Sequence, residues 1–196
     1  MKLAIFGGTF DPIHVGHLEV ATAAADELEL NRILFIPASR PPHKAKQEQV
    51  PFENRYEMVR LACEKDDRFE PSRLEEPGQD RPSYSIHTIE RVREDLAKED
   101  RLFVILGADA FNDVPTWYRV DDVLRQAEFI VVSRPGKRIS TIPNAEVNAL
   151  RSVDNPISAS SIRSRLRRGA SCGDALTPEV QSYVEARGLY RAEAAD

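Results

Sequence analysis

Two histidines, His14 and His17, stand three positions apart in a chain with only four, just after a Gly7-Gly8 pair that closes the apolar run Lys2-Leu3-Ala4-Ile5-Phe6-Gly7. An imidazole keeps an N–H donor whether the ring is neutral or charged. Placed where a helix begins, two such donors face unpaired backbone N–H groups and the positive end of the helix dipole. That setting suits an anion, above all a phosphate, and the glycines let it come close to the backbone. Two other readings compete: a solvated helix start with incidental histidines, and a metal site. The metal site lacks a third ligand nearby and the i, i+4 spacing of helical zinc pairs. With Pro12 fixing the turn, the helix is expected from Val15 or Gly16, with His14 at its approach and His17 in its first turn.

A second constellation lies far downstream in Ile157-Ser158-Ala159-Ser160-Ser161-Ile162-Arg163. Ser160 is the expected N-cap of a helix carrying Ile162 and Leu166 on one face. Arg163 in an early turn opposes the helix dipole yet favours a polyphosphate. A plain basic surface helix is the alternative, since Arg165, Arg167 and Arg168 follow. Trp117, inside Pro115-Thr116-Trp117-Tyr118-Arg119, offers a π-face to a cationic ring; core packing is its ordinary role. Asp109 follows a strand end, where it either accepts from ribose hydroxyls or caps a helix.

The elements that must position these groups alternate. Continuous apolar runs at Leu3–Phe6, Arg32–Pro37, Phe69–Leu74, Leu102–Leu106 and Phe129–Ser133 read as strands covered on both faces. A weak strand is expected at Leu150–Val153. Helical stripes lie between them: Leu18, Ala21, Ala25 and Leu28, then Ile86, Ile89, Val92 and Leu96. Strand–helix repetition predicts an α/β fold with a doubly wound parallel sheet, whose ligands bind beyond the carboxyl ends of the strands. Residues 38–52, 75–84 and 134–148 read as loops, and loops of that length in a compact domain tend to carry function.

At 196 residues the chain suits one domain over 1–190, its part from about 156 to 190 a small helical region, with 191–196 a frayed tail. A net charge of −5 gives no general attraction to nucleic acid, so any phosphate site must be local. Cys63 and Cys172 lack metal-type spacing, which points to a reducing cytoplasm. The first strand meets Gly-Gly too soon for a signal peptide or a membrane span.

At GGTFDPIHVGH the chain resembles the nucleotidyltransferase superfamily, with His14-Val15-Gly16-His17 matching its His-x-Gly-His. Residues 157–163 resemble the superfamily's second motif, although Ser158-Ala159-Ser160 stands where Ser-Ser-Thr is usual. Further stretches resemble bacterial nicotinate-nucleotide adenylyltransferases: Pro41-Pro42-His43-Lys44, Arg55 with Met58, Pro82-Ser83-Tyr84-Ser85-Ile86-His87-Thr88 with Ser85 for the usual threonine, Gly107-Ala108-Asp109, Trp117-Tyr118 and Ser133-Arg134-Pro135-Gly136. Order and number make this set specific.

The resemblance implies a Rossmann-like nucleotidyltransferase fold and transfer of AMP from ATP to nicotinate mononucleotide, giving deamido-NAD and pyrophosphate. It implies His14, His17, Lys44 and Arg163 as catalytic. ATP would meet Gly7, Gly8, Thr9, Phe10, Gly107, Asp109, Ser133, Arg134, Ser160, Ser161 and Ile162. Nicotinate mononucleotide would meet Thr9, Tyr84, Ser85, Trp117 and Tyr118. Mg²⁺ would arrive with ATP, held by phosphate and water and by no protein metal site. The partners implied are these two substrates, without nucleic acid or membrane; monomer or homo-oligomer stays open. So do a superfamily member with another acceptor, such as a pantetheine phosphate, and a non-catalytic nucleotide sensor.

Overall fold

Six strands form one parallel sheet in the order β3-β2-β1-β4-β5-β6. The structure is a computed structural model that describes residues 1–39, 49–78, 84–133, 138–150 and 157–191. Its strands are β1 (Lys2–Gly8), β2 (Arg32–Pro37), β3 (Phe69–Pro71), β4 (Arg101–Gly107), β5 (Glu128–Val132) and β6 (Val147–Leu150). The helices are α1 (Val15–Leu28), α2 (Phe52–Cys63), α3 (Ser85–Glu94), α4 (Ala108–Asn112), α5 (Val120–Gln126), α6 (Ala159–Arg167) and α7 (Pro178–Ala186), with a short 3-10 turn at Val114–Thr116.

Alternation along the strands creates two cores. In β1 and β4, Ala4, Phe6, Phe103 and Ile105 point into one apolar cluster, and Leu3, Ile5, Leu102 and Val104 into the other, as a period of two requires. The first cluster takes Leu18, Ala21 and Ala25 of α1 and Met58 and Val59 of α2. The second takes Ile86, Ile89 and Val92 of α3 and Val123 of α5. Ile162 of α6 and Val180 and Val184 of α7 join the first cluster, so the C-terminal helices share the core of the amino-terminal half.

The chain builds outward from β1 through β2 to β3, then returns to place β4 on the other side of β1. Order therefore reverses between β1 and β4. Helices from opposite sides leave a crevice there, at the carboxyl ends of both strands.

Two boundaries differ from expectation. β3 stops at Pro71 rather than Leu74; after a proline, which brings no N–H to a ladder, the Ser72 N–H still reaches Phe35 O at 2.9 Å before the chain turns. The weak strand runs Val147–Leu150, earlier than Leu150–Val153, and residues 151–156 lie outside the described residues. Among the described residues no helix is long and apolar enough to cross a membrane.

Candidate active site at the carboxyl ends of β1 and β4

His14 is the N-cap of α1, with extended backbone, and His17 is its third residue. The His14 backbone N–H donates to His17 Nδ1 at 3.2 Å, and the His17 N–H donates to the His14 carbonyl at 2.9 Å. The two rings stack, with centroids 3.7 Å apart at 28°. Because Nδ1 of His17 accepts, its neutral ring must carry the proton on Nε2. Local backbone geometry thus fixes which nitrogen is a donor.

Both histidines line a cavity of about 380 Å³ together with Gly16, Gly107, Asp109 and Ile157. Asp109 is the second residue of α4, whose N-cap is Gly107; the alternative reading of Asp109 as a cap falls away, and Asp109 is an exposed residue that lines the cavity. Ile157 brings the start of α6 to the same cavity.

Here the cap expected at Ser160 is instead Ser158, whose Oγ accepts from the Ser161 N–H at 3.3 Å. Ser160 Oγ lies 3.2 Å from Ser158 Oγ. Every small hydroxyl in this run is a competent cap, so composition alone does not choose among them. Arg163 consequently sits a full turn inside α6, and its Nη1 reaches back to donate to the Asp11 carbonyl at 2.7 Å.

A second cavity, about 160 Å³, lies on the other side of the crevice and is lined by Gly7, Gly8, Glu75, Ser85, Thr88 and Trp117, among others. Ser85 is the first residue of α3, so a carboxylate there meets a helix N-terminus. Trp117 is half-buried after the 3-10 turn and packs on the second core while also bordering the cavity. Leu106 lines both cavities and, among the described residues, is the one their linings share.

Several expected residues stand differently. Phe10 is 2% exposed, its ring 5.1 Å from that of His17 and 5.8 Å from that of Phe6; any contact with ATP must come from its backbone. That backbone is left-handed, with φ 48°, at a cost of roughly 1–2 kcal/mol. Burial of the ring contributes about 1.5–3 kcal/mol and prevails. The Ile162 side chain is buried in the first core and faces no ligand. Thr9, Ser133, Ser160 and Ser161 are not among the residues that line either of these two cavities. Tyr84 and Tyr118 pack ring to ring at 4.9 Å, outside the smaller cavity's lining, and Tyr118 is 53% exposed. Lys44, with the rest of Pro41-Pro42-His43-Lys44, lies outside the described residues, as do Arg134, Pro135-Gly136, Pro82-Ser83 and 192–196.

The two glycines divide their work. A Cβ on Gly8 would stand 3.1 Å from the Phe10 ring, whereas one on Gly7 would meet nothing within 4 Å. Gly8 therefore makes room for Phe10, and Gly7 is the open one. Gly8→Ala is expected to lower stability by about 1–3 kcal/mol through overpacking, read as a fall in Tm, while Gly7→Ala leaves Tm unchanged.

Three features were not readable from motifs. Arg55 is 2% exposed and donates to Thr9 O and Ala38 O at 2.8 Å and to Val50 O at 3.0 Å. Thr88 Oγ1 donates to Glu75 Oε1 at 2.7 Å, placing a carboxylate in the smaller cavity. Asp11, 4% exposed, accepts from the Tyr190 hydroxyl at 2.7 Å. Arg55 and Thr88 both stand in the stretches that carry the resemblance, but the partners that explain them are distant in sequence.

Paired histidine donors at a helix start, a second helix N-terminus beside them and a crevice at the strand switch define a nucleotide-binding α/β protein with room for two ligands. Residues 5–165 match the family described as cytidylyltransferase-like. A Solibacter usitatus protein named "Probable nicotinate-nucleotide adenylyltransferase" is 50% identical over 190 residues, covering 97% of this chain and all of that protein. A Thermus thermophilus protein of the same name is 43% identical over 193 residues, covering 97% of this chain and all of that one. The chain belongs to the nicotinate-nucleotide adenylyltransferase family. Its fold is that of the solved Plasmodium falciparum nicotinic acid mononucleotide adenylyltransferase complexed with NaAD, at TM-score 0.77 and 19% identity over 96% of this chain and 97% of that one.

Proposed function

We propose that this chain transfers the adenylyl group of ATP to nicotinate mononucleotide, releasing pyrophosphate and forming deamido-NAD. The observation that carries this reading is the pair of cavities on either side of Leu106, one lined by phosphate-binding histidines and the other by Trp117 and the α3 N-terminus. Two substrates seated there meet at the ends of β1 and β4. The acceptor phosphate is itself the nucleophile, so no protein nucleophile is needed; it attacks the α-phosphorus in line and pyrophosphate leaves. The protein contributes positioning and charge neutralisation.

His17 Nε2–H and His14 bind oxygens around the α-phosphorus, and Arg163 with Lys44 takes the β and γ phosphates. Gly7, Thr9, Gly107, Ser133, Arg134, Ser160 and Ser161 and the backbone of Phe10 serve ATP, with Asp109 on its ribose. Ser85 and the α3 N-terminus take the nicotinate carboxylate, while Trp117 faces the pyridinium, with Tyr84 and Tyr118 contacting the same substrate. Among the described residues no group of three His, Cys, Asp or Glu side chains is arranged to hold a metal ion, and Asp109 is the one carboxylate among those lining the larger cavity. This donor set fits a Mg²⁺ carried by the triphosphate, which would neutralise phosphate charge. A cytoplasmic location fits such a metabolic role.

The test is purified protein with ATP-Mg²⁺ and a panel of phosphate acceptors, following pyrophosphate. Release with another acceptor and none with nicotinate mononucleotide overturns the assignment. Trp117→Ala is expected to raise the KM for nicotinate mononucleotide about tenfold, from loss of a ring–cation contact and its buried area, with the KM for ATP unchanged. A fall in Tm with both KM values unchanged would place Trp117 in the core alone.

A further inference from the structure

The last described turn of the chain returns to its first motif. The Tyr190 hydroxyl donates to Asp11 Oδ1 across 179 positions, and the Asp11 backbone carbonyl accepts from Arg163 Nη1. Asp11 is a buried carboxylate, 4% exposed, with the charges of Arg55 and Arg163 both felt at the Tyr190 hydroxyl beside it. Burial and that carboxylate hold the hydroxyl well above the ordinary tyrosine value, so it remains a donor.

A buried carboxylate needs donors. Arg163 offers five N–H groups in a fixed fork, and an arginine–carboxylate pair is the strongest contact available to Asp11. While Tyr190 serves the carboxylate, the guanidinium engages Asp11 through the weaker carbonyl contact alone. We propose that Tyr190 is a positioning residue for ATP: by occupying Asp11 it keeps the Arg163 guanidinium available for the triphosphate. This inference rests on the adenylyl-transfer reading above for the role of Arg163. Without the Tyr190 hydroxyl, Asp11 draws the guanidinium to itself.

The experiment measures the Kd of ATP-Mg²⁺ by calorimetry, which needs no acceptor, alongside kcat and the acceptor KM. Tyr190→Phe is expected to raise the Kd for ATP about tenfold, the weight of a charge-assisted hydrogen bond, with the acceptor KM within about twofold. Adding Asp11→Asn to Tyr190→Phe removes the competing charge and is expected to restore most of the affinity. In an Arg163→Ala background Tyr190→Phe is expected to add nothing further. A Kd unchanged by Tyr190→Phe, a loss additive with Arg163→Ala, or no recovery with Asp11→Asn overturns the proposal, since a strut that only holds the fold gives those results. Should Tyr190→Phe fail to fold, Asp11→Asn alone decides: ATP affinity near wild type supports the proposal, and a tenfold loss overturns it. Wild type that binds ATP but forms no deamido-NAD fails the functional reading separately.

Discussion

His17→Ala is expected to lower kcat by about two to three orders of magnitude while changing the KM for ATP only a few-fold. The reason is where the donor points and when it matters. Nδ1 is committed to the His14 backbone N–H at 3.2 Å, which fixes Nε2–H as the outward donor and holds the ring against the Phe10 edge. A donor fixed in advance stabilises charge that grows on the α-phosphate oxygens without having to reorganise during the reaction. Two isosteric replacements separate the ring's tasks. In Gln the amide nitrogen stands near the Nε2 position, so His17→Gln retains more turnover than His17→Asn. Asn places its oxygen near Nδ1 and keeps the helix cap instead, so it preserves Tm better. Steady-state kinetics and thermal melts on the three variants read both outcomes; a rise in KM with kcat intact would reduce His17 to a ground-state contact.

Arg55→Ala is the second large effect, and its first readout is stability. Three carbonyls lose their donor at once, on Thr9, Ala38 and Val50, inside a site where the arginine is 2% exposed. Burial pushes the guanidinium below its ordinary value and Asp11 opposes that; arginine starts so high that it stays charged. Removing it leaves unpaired carbonyls and an uncompensated Asp11, for a cost of about 3–5 kcal/mol. Denaturant melts should show this as a midpoint shift at constant slope. Turnover measured well below the melt should fall as well, because Thr9 and Ala38 follow the ends of β1 and β2 and Arg55 ties them together. Lysine supplies a point charge rather than a fork, so Arg55→Lys is expected to recover less than half of the loss. An unfolding free energy within about 0.5 kcal/mol of wild type would show that water replaces the arginine freely.

What the sequence carried and what it hid separate along a physical line. Strands β1, β2, β4 and β5 were legible because a buried parallel strand is a continuous apolar run. The His14 and His17 arrangement was legible because a helix start is local, set by Pro12, Gly16 and the stripe from Leu18. The cap falls on Ser158 rather than Ser160 because the choice among neighbouring hydroxyls depends on where the backbone turns extended, which tertiary packing decides. The resemblance places Phe10 beside ATP, but it does not announce that the Phe10 ring is buried against Gly8. The Tyr190–Asp11 and Arg55–Thr9 contacts span 179 and 46 positions, and no pattern along the chain announces a partner that far away.

Leu106, which borders both cavities at the carboxyl end of the central strand β4, acts as a ruler. A dinucleotide straddling it is held by two tethered halves, so each half sees the other's pocket at a high effective concentration. The joined product should therefore dissociate more slowly than either starting mononucleotide. A ligand whose bridge between nucleosides is too short to span Leu106 would lose that gain and bind as a single half. Product departure, rather than bond making, then becomes the step on which crowding of the larger cavity by Leu106→Phe would act.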